Sequence, residues 1–218
     1  RDRIGQIRAY RKELESTLNT RVRGMWVPER VWEQTFASDL ADAGMEYTLL
    51  DDTHFRMSGL PPEALHGYYL TENDGKLLKV FAGSERLRYL IPYAAPHEVI
   101  QHCRHIADHT HNAVLVFGDD GEKFGVWPGT KEHVFHNGWL RRFFQALREN
   151  LSWLKVTTMA EAVDHVSPLG RSYLPDASYR EMTEWVLPAA KQLEHHGLRH
   201  QLELYSDWPK LQQYWRAG

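Results

Sequence analysis

Two carboxylates, Glu29 and Asp120, stand where short apolar runs stop abruptly, each with tryptophan close by. The runs read Gly24-Met25-Trp26-Val27-Pro28-Glu29-Arg30-Val31-Trp32 and Phe117-Gly118-Asp119-Asp120-Gly121-Glu122-Lys123-Phe124-Gly125-Val126-Trp127-Pro128. A strand that ends on an acid and an aromatic sets both at the rim of a sheet or barrel, the edge where barrel enzymes place their chemistry. One carboxylate on each of two rims is what cleavage of a glycosidic bond requires. In the retaining geometry one acid attacks the anomeric carbon and the other protonates the departing oxygen, at a separation of about 5–5.5 Å. The attacker must stay ionised while its partner is held protonated by apolar or like-charged neighbours. Asp119 beside Asp120 is a source of such pressure, although adjacent strand residues point to opposite faces.

Plainer readings compete with each acid. Pro28-Glu29 also opens helices well, and Asp119-Asp120-Gly121 is a common turn signal. A calcium loop at Asp119-Asp120-Gly121-Glu122 lacks the alternating oxygen ligands such loops need. Spacing alone leaves the pair suggestive.

The elements that must position these residues follow from periodicity. Ile4, Ile7, Tyr10, Leu14 and Leu18 predict an amphipathic helix over 3–19. A strand over 24–27, a helix over 31–43 and a strand over 47–50 follow, the last closing on Asp51-Asp52. Between about 53 and 95 the pattern loosens, and Asn73-Asp74-Gly75 predicts a hairpin between runs 66–70 and 77–82. Further expectations are strands at 88–91, 112–117 and 153–157 and helices at 96–108, 131–148 and 159–165. Residues 178–204 read as mostly helical, broken at Pro188. Strands alternating with helices imply a parallel α/β structure, and the continuous apolar run at 112–117 suits a strand covered on both faces. Four or five such strands are too few to close a barrel of seven or eight. With no repeat or clear linker, residues 1–218 are expected to form a single domain.

Composition narrows the function classes. The net charge is −3 with Lys and Arg scattered, so no basic face suggests nucleic acid or anionic lipid. No apolar run approaches the roughly 18 residues needed to cross a bilayer. The lone Cys103 rules out an internal disulfide and fits a reducing, cytoplasmic setting. The chain opens on Arg1-Asp2-Arg3 without a leader-like segment or an initiator methionine, as expected of a piece of something longer. Eight Trp, ten Tyr and eight Phe fill a core or line a carbohydrate cleft. Self-association into a homo-oligomer is compatible with all of this.

Other constellations weigh less. His102, His105 and His109 share a helix face near Cys103 and His111, and a solvated face explains them better than a metal site. His195-His196 and His200 take the same reading. Cys103 has no nucleophile context. Trp185 and Trp208 suit sugar contacts, core or domain contacts alike, and no phosphate-binding loop appears.

The quoted stretches at 24–32 and 119–130 resemble two signature regions, the third and fourth, of glycoside hydrolase family 57, nearest to its 4-α-glucanotransferases and α-amylases. Asp51-Asp52-Thr53-His54-Phe55, Leu87-Arg88-Tyr89-Leu90-Ile91-Pro92 and Ser178-Tyr179-Arg180-Glu181-Met182-Thr183-Glu184-Trp185 are similar to further stretches in the same order. The resemblance implies an incomplete (β/α)7 TIM-like barrel with a hairpin excursion near 60–85, acting on α-1,4-glucans and maltooligosaccharides without cofactor or metal. It implies Glu29 as nucleophile and Asp120 as general acid/base. Trp26 and Trp127 match aromatics of the sugar subsites, and His54 and Glu122 hold positions suited to bonding sugar hydroxyls. Two departures stand out. Gly118 occupies a position where members of that family often carry histidine, and counterparts of the first, second and fifth signature regions are missing. The expected protein is the central part of a larger enzyme, with a non-catalytic carbohydrate-binding or remnant domain as the alternative. A metal-dependent deacetylase on a related barrel would need two histidines converging on Asp119 or Asp120, and none is placed to supply them. Whether water or a sugar hydroxyl resolves the intermediate, hydrolysis or transfer, is not written in the sequence.

Overall fold

A computed structural model describes residues 2–205 and 207. The chain begins with helix α1 (Asp2–Leu18), strand β1 (Gly24–Trp26), helix α2 (Phe36–Asp42), strand β2 (Tyr47–Asp51) and helix α3 (Asp52–Met57). Strands β3 (Tyr68–Asn73) and β4 (Lys76–Gly83) form the hairpin, turning at Asp74 and Gly75, both with positive φ. Helices α4 (Glu85–Leu90), α5 (Pro96–His109), α6 (Trp139–Glu149) and α7 (Met159–His165) follow. Strand β5 (Gly170–Arg171) and helices α8 (Arg180–Trp185) and α9 (Ala189–Glu203) complete the described chain.

The five strands form one sheet in the order β1-β2-β4-β3-β5, mixed but mostly parallel. β1 runs parallel to β2 and β2 to β4, with Trp26 opposite Leu49 and Asp51 opposite Gly83. The hairpin partner β3 is antiparallel to β4. Alternation along the strands divides the core. Leu50, Leu78, Val80 and Ala82 face a cluster that Ala37 and Leu40 of α2 and Phe55 of α3 complete. Leu49 and Phe81 face the opposite way, toward Val116 and Ala162 of α7. Both faces are therefore covered, as expected of strands in a parallel sheet. A third cluster, Leu87, Leu90, Ile91, Val99 and Trp139, joins α4, α5 and α6.

Several expected boundaries shift for identifiable reasons. Residues 88–91 are not a strand. The Ser84 hydroxyl accepts from the Leu87 amide at 3.2 Å and caps α4, whose Leu87 and Leu90 are buried one turn apart. The run at 112–117 packs Val114 and Val116 on the sheet but pairs with it through an isolated parallel bridge, Val116 to Gly83, because β4 already has β2 and β3 on its flanks. Residues 154–158 form no regular element, and Val156 is exposed. Gly138, at φ 70, separates α6 from a π-turn at Glu132–His136, dividing the helix expected over 131–148. The helix expected from 31 starts only at Phe36, since Trp32 pairs with Ala177 as an extended bridge. Among the described residues, no helix is long and apolar enough to cross a membrane.

Candidate active site at the C-terminal strand edge

The parallel strands β1, β2 and β4 end on one side of the sheet, and the segment leading to Asp119 and Asp120 joins them there through Val116 and Gly83. Glu29 follows β1 within the 3-10 turn Pro28–Arg30. Glu29 and Arg30 both take left-handed backbone, at φ 51 and φ 49. Left-handed backbone is uncommon outside glycine and costs roughly 1–3 kcal/mol per residue. Two in succession need external support. The Ser178 hydroxyl donates to the Glu29 carbonyl at 2.6 Å, and a ring nitrogen of His54 lies 3.0 Å from the Arg30 carbonyl.

The Glu29 side chain is fixed as well. The Tyr179 hydroxyl donates to Glu29 Oε2 at 2.6 Å while the residue remains exposed at the rim. The Arg30 guanidinium lies 4.0 Å from the centre of the buried Tyr179 ring, with that of Arg88 at 5.5 Å. Burial first, and then the hydrogen bond to Glu29, push the Tyr179 phenol up to about 12, so it is a neutral donor at ordinary pH.

Beneath the rim runs a chain of buried charges. Asp51 accepts from Arg88 at 2.8 Å with one oxygen and caps α3 through Thr53 N at 3.2 Å with the other. Arg30 approaches the same carboxylate at 4.0 Å. Arg88 Nε lies 3.8 Å from Asp119, which is paired with Lys123, and the Lys123 ammonium donates to the Arg88 carbonyl at 2.9 Å. Burial alone would weaken the proton affinity of Arg88, but Asp51, Asp119 and Glu181 reverse the sign and raise it. Asp119 is thus an internal anchor whose charge Lys123 compensates, and it donates no spare negative charge to the rim.

Asp120 is exposed immediately before the 3-10 turn Gly121–Phe124. Its amide donates to Asp119 at 2.9 Å, so the buried anchor orients the exposed acid. The two acid-bearing segments meet at Trp26 and Gly118. A Cβ on Gly118 would fall 2.7 Å from the Trp26 ring and 3.0 Å from Leu49. Glycine at 118 is required by this close approach, and a histidine there would need Trp26 to move.

The remaining expected site residues fall into two groups. Trp127 (38% exposed) and Glu122 stand at the surface near Asp120, with Lys123 5.5 Å from the Trp127 ring centre. Trp26 is half-buried against Gly118 and carries Arg30 at 5.4 Å over its ring. His54 is 0% exposed, and its second ring nitrogen lies 3.1 Å from the Asp51 carbonyl. Burial lowers its pKa, so it is a neutral brace between β2 and the Glu29 turn, out of reach of a sugar hydroxyl. Trp185 is exposed and meets Tyr179 edge-on at 5.9 Å, while Trp208 lies outside the described residues. Among the described residues, His102, His105 and His109 form no metal-binding group, and burial pushes the Cys103 thiol up. The surface grooves of about 500 and 610 Å³ lie along α6, around Arg141 and Phe144, away from the acids.

Spacing alone gives no role to Tyr179, Ser178, Arg30, Asp51, Arg88 or Lys123. The signal is present, since all six fall within the motif-like stretches 24–32, 51–55, 87–92, 119–130 and 178–185. What the sequence could not show was their convergence on one rim.

Known proteins resemble this chain in sequence and fold. A family model, Glycosyl hydrolase family 57, matches residues 1–175. The chain is 40% identical over its whole length to Alpha-amylase 1 of Dictyoglomus thermophilum, covering 32% of that protein. It is 43% identical over 188 residues to the 4-alpha-glucanotransferase of Thermococcus litoralis, covering 86% of this chain and 28% of the relative. The crystal structure of the latter superposes with a TM-score of 0.91 over 98% of this chain and 33% of that one, at 39% identity. The α-amylase AmyC of Thermotoga maritima shares the fold at a TM-score of 0.65 and 19% identity, over 92% of this chain and 50% of that one. The chain therefore spans about a third of the length of these curated relatives, as a mostly parallel portion of their (β/α)7 barrel. It belongs to glycosyl hydrolase family 57.

Proposed function

We propose that this chain carries both catalytic carboxylates of a retaining α-glucan-active enzyme, with 4-α-glucanotransferase the leading activity. The observation that carries this reading is the Glu29 carboxylate held by Tyr179 on a left-handed turn at the C-terminal end of β1. A nucleophile must be presented in one orientation to be in line with the anomeric carbon. Glu29 attacks that carbon and forms the glycosyl-enzyme ester as the glycosidic bond breaks, while Asp120 gives its proton to the departing oxygen. Asp120 then removes a proton from an incoming sugar hydroxyl, which displaces Glu29 and closes the cycle. Water in place of that hydroxyl gives hydrolysis. Trp127 supplies a stacking face and Glu122 a hydrogen-bond acceptor beside Asp120. Relatives named as alpha-amylases and 4-alpha-glucanotransferases support α-1,4-glucans and maltooligosaccharides as substrates.

In this reading residues 1–218 form one unit of the catalytic barrel, the setting is cytoplasmic in keeping with the single Cys103, and homo-oligomers are allowed. The alternative is a non-catalytic glucan-binding domain. Replacing Glu29 by Gln in the full-length protein separates the two. Maltotriose disproportionation should fall more than roughly a hundredfold. Turnover above about one hundredth of normal removes Glu29 from the nucleophile role, and glucan binding by an unsubstituted protein without turnover supports the alternative.

A further inference from the structure

The corner between α8 and α9 carries a group of side chains that the catalytic rim does not use. Pro188 breaks the chain between the two helices and folds α9 back, so that Glu184 of α8 lies against His195 and His196 of α9. Glu184 Oε1 contacts His196 Nε2, and Glu184 Oε2 lies 3.9 Å from His195 Nδ1. One ligand atom from each residue falls within 4.8 Å of the other two. Glu184 and His195 are partly buried and His196 is exposed, leaving a solvent route to the group.

We propose that Glu184, His195 and His196 hold a divalent transition-metal ion of the zinc class that fastens α9 to α8. Two imidazoles and one carboxylate are a donor set that zinc accepts readily, with water completing a tetrahedron. Borderline nitrogen donors favour zinc over calcium or magnesium, which take oxygen ligands. Ligands on separate helices make the ion a cross-link, which an ion pair between two exposed side chains achieves weakly. The cationic neighbour on the same helix, Arg199, is paired with Glu203 at 3.0 Å. The group also has a structural reach. Trp185, adjacent to Glu184, meets Tyr179 edge-on at 5.9 Å, and Tyr179 donates to Glu29. Metal occupancy thus steadies the corner behind the candidate nucleophile without touching substrate.

The test is titration of metal-free full-length protein with zinc chloride, read by calorimetry and by thermal melting. Wild type should bind a single zinc ion at this corner and melt at higher temperature when zinc is present. Glu184→Ala and the double variant His195→Ala/His196→Ala should each weaken that binding roughly a hundredfold or more, whereas His200→Ala should leave it unchanged. Circular dichroism of the metal-free variants checks that each is folded. X-ray absorption of the zinc-loaded wild type supplies a readout needing no variant, with two imidazoles and no sulfur expected around the metal. Absence of stoichiometric binding, equal binding in all variants, or a sulfur ligand overturns the proposal and leaves the group as a hydrogen-bonded contact between helices.

Discussion

The hydroxyl of Tyr179 donates to Glu29 Oε2 at 2.6 Å, across 150 residues of sequence. This contact decides which way the rim carboxylate points, because the left-handed turn beneath it sets only the backbone. The Tyr179 ring is itself fixed by Arg30 on its face and Trp185 at its edge. Tyr179→Phe keeps the ring and removes the donor. A hydrogen bond to a charged group contributes about 1.5–3 kcal/mol. The expected result is therefore a fall in kcat of roughly ten- to a hundredfold, with KM little changed. Steady-state kinetics on maltooligosaccharides check it, and an unchanged kcat would show that the carboxylate is oriented by other means.

The contact between Gly118 and Trp26 makes a prediction about stability. Replacing glycine by alanine ordinarily stabilises by about 0.4–1 kcal/mol through the unfolded chain. At 118 the added methyl would meet the Trp26 ring at 2.7 Å and Leu49 at 3.0 Å. Overpacking of this kind costs about 1–3 kcal/mol, so strain outweighs the entropic gain. Gly118→Ala should lower the denaturation midpoint of the full-length protein and also reduce activity, since Trp26 carries Arg30. A midpoint equal to or above wild type would mean that the rim accommodates a side chain there.

Asp52 gives the site a pH dependence of stability. Burial first, and then Asp51 and Glu85, push its carboxyl up to about 7. A carboxyl whose pKa is higher folded than unfolded binds more protons in the native state between about pH 4 and pH 7. Its contribution is therefore complete below about pH 4 and is lost as pH rises through about 7. Asp52→Asn mimics the neutral form. Relative to wild type, the variant should gain stability on going from about pH 5 to about pH 8, by a few kcal/mol at most. Thermal melts at the two values measure the difference, and parallel profiles would show that Asp52 is not the group responsible.

How much of this was legible in the sequence depended on whether a signal was local. Glu29 and Asp120 stand out as candidates because each ends an apolar run. The hairpin could be found because Asn73-Asp74-Gly75 supplies its own turn chemistry. Residues 88–91 misled because Arg-Tyr-Leu-Ile is strand-like in composition, whereas the Ser84 cap that makes it a helix lies four residues earlier. The strand expected at 153–157 fails because strands need a partner, which no local pattern can guarantee. His54 looked like a ligand contact and is a buried brace, a distinction set by Arg30 and Asp51 carbonyls that only folding brings to it. Asp119 illustrates the same limit. Its pairing with Lys123 is one helical turn away and readable, but its link through Arg88 to Asp51 is not.

If Glu29 forms the covalent bond to the sugar, the glycosyl-enzyme can be trapped on it. In full-length Asp120→Asn protein given α-maltosyl fluoride, the fluoride leaves without protonation while the second step lacks its base, so the glycosyl-enzyme should accumulate. Peptide mass spectrometry should then find the maltosyl group on the peptide containing Glu29, attached at that residue. An adduct on any other residue, or a fully active Glu29→Gln variant with no adduct, would show that Glu29 is not the nucleophile.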